Sequence, residues 1–254
     1  MITQIEISLL IRLIIAHLLC DFVFQSDSWV NLRFKDGWKS KHLYLHGLIA
    51  GILAYFFSGL WDYIWIPIVV AITHILIDGI KTMYEKKYEN NIQSFLTDQL
   101  AHFIILLVIW ILIVNPKSDD FDVLKQIFLP GLKIWVIAAA YLIITYPSSV
   151  LISKITEKWR KDFSKKEMAD KDKSLDKAGQ WIGLLERFLI LTFVLLKQYQ
   201  AIGFLVAAKS IFRFSESRNV GEYVLIGTLL SFAIAILVGL ITSLFLSLSI
   251  PFQV

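Results

Sequence analysis

Cysteine is almost absent from the sequence. Cys20 is the only one in 254 residues, so no intramolecular disulfide can form. Proline and glycine are also scarce, at five and twelve residues, which excludes collagen-like and low-complexity chains. The net charge of +4 is small, and most basic residues fall in short segments between apolar runs. A basic domain that binds nucleic acid is therefore not expected.

Apolar residues, by contrast, are abundant: 57% of the chain is hydrophobic and the mean hydropathy is +0.66, more than a soluble domain needs. The apolar runs are continuous rather than alternating, which predicts helices instead of barrel strands. With roughly 20 residues needed for each crossing, we expect an all-α polytopic membrane bundle of about eight helices, within a range of about seven to nine. The predicted spans are Ile5–Phe24, His42–Phe57, Tyr63–Ile80, Phe95–Val114, Leu132–Ile152, Trp181–Leu196, Ala201–Phe212 and Tyr223–Leu248.

The distribution of charge and histidine predicts four regions along the chain. Residues 1–115 form a four-helix membrane domain rich in histidine and aspartate, and they contain all five histidines. Residues 116–152 hold an extracytoplasmic segment and a fifth membrane helix. Residues 153–178 are a charged cytoplasmic linker, and residues 179–254 are the C-terminal membrane helices.

Orientation follows from lysine and arginine, which concentrate in cytoplasmic loops. The loop after the first span carries Arg33 and Lys41, and the segment from Lys154 to Lys177 is strongly basic, whereas few basic residues fall on the other side. We expect a multi-pass protein of the bacterial inner membrane with both termini outside.

Histidine and aspartate recur four residues apart inside the first, third and fourth spans. Histidine comes first in the two spans that run toward the cytoplasm, and aspartate comes first in the span that runs away from it. Residues four apart share one helix face, about 6 Å apart along the axis, so each aspartate lies nearer the cytoplasm and each histidine one turn deeper. The three pairs are His17 and Asp21, His74 and Asp78, and Asp98 and His102.

The second span begins with two more histidines, and this predicts two polar layers. Ionisable groups inside a membrane cost roughly 2.5–3.5 kcal/mol each, so they generally face the bundle interior and pair there. We expect one common polar site rather than separate packing residues. The predicted carboxylate layer is Asp21, His42, Asp78 and Asp98, and the deeper layer is His17, His46, His74 and His102.

Imidazole and carboxylate are the usual ligands of divalent transition metals, which makes this site a candidate metal centre. Zinc is favoured, with iron and manganese as alternatives, and the number of ions is left open. Aspartates that do not bind the ion are candidate general bases, and Cys20 is interpreted as a small buried residue. The candidate ligands are His17, His46, His74, His102, Asp21, Asp78 and Asp98, and the candidate catalytic groups are Asp21, Asp78 and Asp98.

A second polar set lies near the cytoplasmic ends of the sixth and seventh predicted spans. Arginine offers a planar fork that matches phosphate, so these residues form a candidate site for an anionic substrate, although lysine and arginine at a helix end also extend to lipid headgroups without other function. The candidates in this set are Arg187, Lys209 and Arg213. His42, Gln25 and Gln99, which belong to or flank the predicted carboxylate layer, are further candidate substrate-binding residues.

The segments HLLCDFVFQSDSW, LYLHG, THILIDGIK and FLTDQLAH together resemble the bacterial integral membrane proteins grouped as the domain-of-unknown-function family DUF3307. The resemblance covers residues 1–115. The later segments AGQWIGLLERFL, AIGFLVAAKSIFRF and EYVLIGTLLS are similar to the C-terminal extension of the longer members. The resemblance implies membrane location but no reaction, because the family has no established activity.

Three functions remain open from the sequence. The first is a metal-dependent hydrolase that acts on a lipid or lipid-like substrate, with or without a phosphate, at the cytoplasmic leaflet. The second is a transporter or ion-coupled carrier that uses the histidine and aspartate cluster for binding or proton relay. The third is a non-catalytic membrane sensor or partner protein. The outer halves of the first four spans carry little polarity, which favours the hydrolase; membrane lipids are the expected partners, and oligomerisation is left open.

Overall fold

The computed structural model describes residues 4–88, 92–114, 131–167, 173–212 and 218–248, and all regular structure in these ranges is helical. This confirms the predicted all-α class. Chain contacts divide the protein into two compact units, Met1–Ala139 and Ala140–Val254. The helices are α1 (Gln4–Phe22), α2 (Asp27–Asp36), α3 (Lys41–Ser58), α4 (Trp65–Tyr88), α5 (Ile92–Val114), α6 (Leu132–Ile144), α7 (Tyr146–Glu167), α8 (Lys173–Leu195), α9 (Tyr199–Phe212) and α10 (Arg218–Leu248), with a short 3-10 helix at Gly37–Lys39.

Fewer helices than predicted are long and apolar enough to cross a membrane. Within the described ranges there are four, or five if the bent pair formed by α1 and α2 counts as one. They identify a membrane protein, but the predicted number of about eight is not supported. The four segments are Trp65–Tyr88, Ile92–Val114, Leu132–Glu157 and Leu225–Leu248.

Polar residues within two helices, and the short length of a third, explain part of this shortfall. Helix α1 contains Glu6, Arg12 and Asp21, and α3 contains Lys41 and two histidines, so both helices lose hydropathy. Helix α9 has only 14 residues. The predicted linker is also partly helical, because α7 extends to Glu167 and α8 begins at Lys173.

In the first unit α1, α3, α4 and α5 form a closed ring of four helices. Helix α3 packs against α1 and α4, and α5 packs against α4 and α1. The interior of the ring is polar at one end and apolar toward the other. The apolar core includes Leu9, Leu13, Ala54, Val70, Leu106, Ile109 and Ile113.

Two glycines bring α3 and α4 into close contact. A Cβ atom at Gly47 would lie 2.3 Å from Ile75 Cγ1, and one at Gly51 would lie 2.4 Å from the carbonyl oxygen of Pro67. Small residues four apart allow two helix backbones to approach in this way inside a membrane. The close approach determines how near the α3 side chains come to those of α4.

Helix α2 turns away from α1 by 78° and packs over the polar end of the ring. Its N-terminus is capped by Ser26, whose side chain accepts a hydrogen bond from Trp29 N, and Gly37 ends it with a φ of +59°. The ring of Trp38 lies against Gly79 of α4, where a Cβ would approach to 2.2 Å. This contact leaves no room for a larger residue at that position.

The second unit contains a break between α6 and α7 that Arg187 of α8 bridges. The Arg187 Nε donates to the Ile144 carbonyl oxygen at 2.6 Å, and Nη1 donates to Ser231 Oγ at 3.1 Å. Nη2 donates to the Thr145 carbonyl and to Ser149 Oγ. Arg187 therefore donates to two backbone carbonyl groups at the break between the helices.

Candidate metal centre

Four imidazoles from four different helices meet inside the first unit. The ring centroids of His74 and His102 are 4.1 Å apart. His46 lies 4.8 Å from His74, and His17 lies 4.8 Å from His102. All four residues are buried. The ring of helices thus brings side chains that are up to 85 residues apart in sequence, since 102 minus 17 is 85, into one contact group.

Three ligand atoms within this group form a nearly equilateral triangle. His46 Nε2 lies 3.1 Å from His74 Nε2, and Asp21 Oδ1 lies 3.3 Å from the first nitrogen and 3.2 Å from the second. Metal–ligand bonds of about 2.0–2.1 Å in a tetrahedral site place neighbouring ligand atoms about 3.3–3.4 Å apart. The triangle has almost the dimensions of one face of such a site.

Hydrogen bonds account for only one side of this triangle. Asp21 Oδ1 is buried and has no hydrogen-bond partner of acceptable geometry among the described residues. His74 Nε2 and His46 Nε2 share a hydrogen bond of 3.1 Å, and neither nitrogen has acceptable hydrogen-bond geometry toward Asp21 Oδ1. Buried polar atoms normally have partners. A cation at the centre of the triangle would give Asp21 Oδ1 the partner that it lacks and would accept the lone pairs of both imidazole nitrogens, so the residues present fit a metal ion.

Each of the three carboxylates near the imidazoles is anchored through its Oδ2 atom by a donor from the protein. Such outer contacts orient metal ligands and are a usual feature of metal sites. The Oδ1 atoms remain directed at imidazole nitrogens. The three pairs are Arg33 Nη1 with Asp78, Lys81 Nζ with Asp98 at 2.7 Å, and Gln99 Nε2 with Asp21 at 3.0 Å.

Cys20 contacts the second nitrogen of a triangle histidine. Its Sγ lies 3.6 Å from His46 Nδ1 and 3.7 Å from the His46 carbonyl oxygen, and the side chain is fully buried. Cys20, Asp21, His46 and His74 offer ligand atoms that all lie within 4.8 Å of one another. Since Cys20 faces Nδ1 while the triangle uses Nε2, the geometry favours an orienting role for the thiol.

On the side away from the carboxylates the histidines line a small cavity with apolar walls. The imidazoles therefore separate the charged end of the ring from its hydrophobic interior. The lining consists of His17, His74 and His102 with Thr73 and the apolar residues Leu13, Ala50, Ala54, Val70, Ile105 and Leu106.

Two of the predicted substrate-binding residues lie outside the histidine and aspartate cluster. The spacing of histidines predicts that His42 belongs to the carboxylate layer. In the structure it is half-buried against the ring of Trp29, with ring centroids 5.5 Å apart. It lies in the first turn of α3, at the level that α2 covers, and so it stays outside the cluster. Gln25 lies in the connection between α1 and α2. Gln99, expected only to flank the site, lies within it, because its Oε1 is 3.3 Å from His17 Nε2.

Three buried or partly buried cations were not recognised as internal groups from the sequence. The predicted spans place Arg33 in the first loop and Lys81 just after the third span, yet these residues bind Asp78 and Asp98. Lys81 follows Asp78 by three residues and so shares its helix face, and this spacing could have indicated that Lys81 lies beside the cluster. Arg12 is also buried, and its Nη1 donates to the last carbonyl groups of α3.

The residues predicted to bind an anion in the second unit have internal partners. All three nitrogens of Arg187 donate within the protein, and Lys209 Nζ binds Glu186 Oε2 at 2.6 Å. Arg213 lies outside the described residues. Their predicted role stays a prediction, and these contacts compete with it.

The fold and the site define a helical membrane protein with a buried cluster of histidine and aspartate in a four-helix ring. Residues 9–128 match the family described as "Protein of unknown function (DUF3307)", which confirms the predicted family over this part of the chain. The match encloses every residue of the cluster. Comparison with curated proteins and with solved structures finds no match.

Proposed function

We propose that the protein is a metal-dependent hydrolase of the bacterial inner membrane, acting on a lipid or lipid-like ester or phosphate at the cytoplasmic leaflet. The observation that carries the proposal is the triangle of Asp21 Oδ1, His46 Nε2 and His74 Nε2, with sides of 3.1–3.3 Å. Two nitrogens and one oxygen form a donor set that zinc, iron and manganese accept, and zinc is favoured. When bound with an open position, such an ion lowers the pKa of water to about 7.

Asp78 is the best-placed general base. Its Oδ2 lies 3.6 Å from His46 Nε2 and 3.8 Å from His74 Nε2, directly beside the triangle. Arg33 holds the same carboxylate in position. In the proposed reaction water forms the new bond to the acyl or phosphoryl centre, and Asp78 takes its proton. The bond to the alcohol breaks, and the proton passes to the departing oxygen.

The surroundings of the carboxylate end support an amphiphilic substrate. Helix α2 exposes Leu32 and Phe34, and the 3-10 helix that follows exposes Trp38, while Arg33 of α2 reaches into the cluster. A short helix with exposed apolar and aromatic side chains beside lysines is suited to the membrane–water boundary. A lipid headgroup at that boundary would lie close to the proposed metal position.

The apolar interior beyond the imidazoles supports an enzyme over a carrier. Between the histidines and the opposite end of the ring the buried residues include Leu13, Ile109 and Ile113. Arg12, at that end, donates to backbone carbonyl groups rather than to a chain of polar side chains. A carrier needs a polar path through the membrane, whereas a hydrolase needs access from one leaflet.

Elemental analysis of the detergent-purified protein tests the metal. We expect about one zinc, iron or manganese ion per chain in the wild type and a loss of most of it in His46→Ala and His74→Ala. His42→Ala is the matched control, because His42 belongs to the same helix as His46 but lies outside the cluster. A wild type that contains no transition metal and retains none after it is added back would refute the proposal.

Hydrolysis assays on vesicles test the reaction. The panel contains lipids with carboxylic ester bonds and lipids with phosphate ester bonds, with and without a chelator. We expect chelator-sensitive release of product, and a fall of about 10²–10⁴-fold in Asp78→Asn with the metal retained. A metal-loaded protein that releases no product but moves ions across a reconstituted vesicle would instead be a carrier.

A further inference from the structure

We propose that Arg33, assisted by Lys81, binds the phosphate group of the substrate, so that the substrate is a phosphate ester with an apolar tail. The inference rests on the proposed function and specifies its substrate class. It assigns phosphate recognition to the first unit, in place of Arg187 and Lys209 of the second. The two cations stand on α2 and α4 at the carboxylate end of the cluster.

The guanidinium of Arg33 has unused donor capacity. The side chain is only 7% exposed. Among contacts within the described ranges, however, only its Nη1 donates a hydrogen bond, to Asp78 Oδ2. In Arg187 all three nitrogens donate inside the protein. Arginine binds phosphate through two parallel N–H groups. Arg33 can therefore offer Nε and Nη2 to an oxyanion, which Arg187 cannot do without losing its present partners.

The position of Arg33 places such an oxyanion at the proposed reaction centre. The Asp78 Oδ2 atom that binds Arg33 is also 3.6 Å from His46 Nε2 in the triangle. One carboxylate atom thus connects the guanidinium to the proposed metal position. A phosphoryl group held by Arg33 would have its phosphorus within reach of a water beside Asp78.

Lys81 provides a second positive group on the same face of α4. Its Nζ binds Asp98 Oδ2 at 2.7 Å, and the side chain is 19% exposed. An ammonium group has three donors, so Lys81 can keep this contact and also bind a phosphate oxygen. Asp78 and Lys81 are three residues apart and lie on one helix face. Arg33 and Lys81 consequently flank the carboxylate layer.

The charge of the site agrees with an anionic substrate. The three aspartates of the cluster face Arg33 and Lys81, which leaves one negative charge, and a divalent ion changes it to one positive charge. Glu85, two turns further along α4, accepts a hydrogen bond from Ser94 at 2.7 Å instead. A metal-loaded site with a net positive charge and little solvent attracts a phosphate more strongly than a neutral ester.

The hydrolysis that this implies is balanced with water alone. The oxygen of water forms a new P–O bond, and the P–O bond to the lipid alcohol breaks. Asp78 takes a proton from water, and that proton goes to the departing alcohol oxygen. Arg33 and Lys81 hold the non-bridging oxygens, where negative charge is concentrated during the transfer.

Binding of inorganic phosphate to the zinc-loaded full-length protein, followed by calorimetry, tests the assignment. We expect Arg33→Gln to weaken phosphate binding at least tenfold with an unchanged zinc-to-protein ratio. Lys35→Gln is the control, because Lys35 is exposed on the same helix and the change in charge is the same. It should alter phosphate affinity less than twofold. Arg33→Lys keeps the charge without the fork and should be intermediate.

The outcomes separate this inference from the proposed function. Phosphate affinity that is equal in Arg33→Gln and wild type overturns the assignment. If Arg33→Gln loses zinc, Arg33→Lys decides, and a wild-type affinity in that variant also overturns it. A wild type that retains zinc and hydrolyses carboxylic ester lipids but binds no phosphate overturns only the inference. A wild type that binds no metal overturns both.

Discussion

Cys20 Sγ lies 3.6 Å from His46 Nδ1, while the Nε2 atom of the same ring faces His74 and Asp21. The thiol therefore contacts the nitrogen that a metal would not use. Groups in this position set the orientation and tautomer of a ligating histidine, and their loss typically lowers metal affinity by about 10–100-fold.

We predict that Cys20→Ala lowers zinc affinity by about 10–100-fold without abolishing binding, because the His46 ring loses its orienting contact. Competition against a chromophoric chelator measures the change. Cys20→Ser, which retains a hydroxyl near Nδ1, should lose less. Complete loss of zinc in both variants would instead identify Cys20 as a ligand, and an unchanged affinity in Cys20→Ala would exclude a positioning role.

Gly51→Ala tests whether the close approach of α3 and α4 builds the site. The added methyl would meet the Pro67 carbonyl oxygen at 2.4 Å, so the helices must separate and the contact between His46 and His74 must lengthen. We expect lower zinc affinity and a loss of about 1–3 kcal/mol of unfolding free energy in detergent, the usual cost of overpacking. Gly203→Ala is the control, since nothing lies within 4 Å of a Cβ there. Equal behaviour of the two variants would contradict the prediction.

Arg12→Met tests the end of the ring away from the metal. Arg12 Nη1 donates to the Phe57 and Ser58 carbonyl oxygens at 3.1 and 3.0 Å, and its loss leaves two acceptors at the end of α3 without this partner. Each unsatisfied buried acceptor costs about 1–3 kcal/mol, so the unfolding temperature should fall clearly. The zinc-to-protein ratio should not change. A variant of wild-type stability that has lost zinc would show that Arg12 acts on the site instead.

Thiol labelling tests the predicted orientation. Lys87 and Lys197 are exposed, and the eight spans predicted from the sequence would put Lys87 on the cytoplasmic side and Lys197 on the outer side. In intact cells a membrane-impermeant reagent should label Lys197→Cys but not Lys87→Cys, and both should react after the membrane is opened. The fully buried Cys20 should contribute little background. Labelling of Lys87→Cys alone in intact cells would invert the topology and place the site at the outer leaflet.

The position of each histidine one turn from an aspartate on the same helix face could be predicted because helix geometry is regular. Residues four apart share a face, and reversing the helix direction reverses their order, so His74 and Asp78 in α4 match Asp98 and His102 in α5. The helical class followed equally from continuous apolar runs. The number of spans did not, because charged residues in α1 and a lysine with two histidines in α3 lower the hydropathy of helices that the apolar runs count as spans.

The partners of the carboxylates could not be predicted. Arg33 precedes Asp78 by 45 residues and reaches it only because α2 folds back by 78° over the ring. The same fold places Trp29 against His42 and keeps that histidine out of the cluster. Both outcomes depend on a turn between α1 and α2, whose direction no periodic pattern records.

The amino-acid sequence alone determined that this chain forms membrane helices and that a histidine and an aspartate share one face, one turn apart, in three of them, because both properties depend on local, regular backbone geometry. Only the tertiary structure decided which atoms meet: the triangle of Asp21, His46 and His74, and the cations that hold the carboxylates. Those contacts depend on packing between helices far apart in sequence, where a shift of one residue in register would replace every partner.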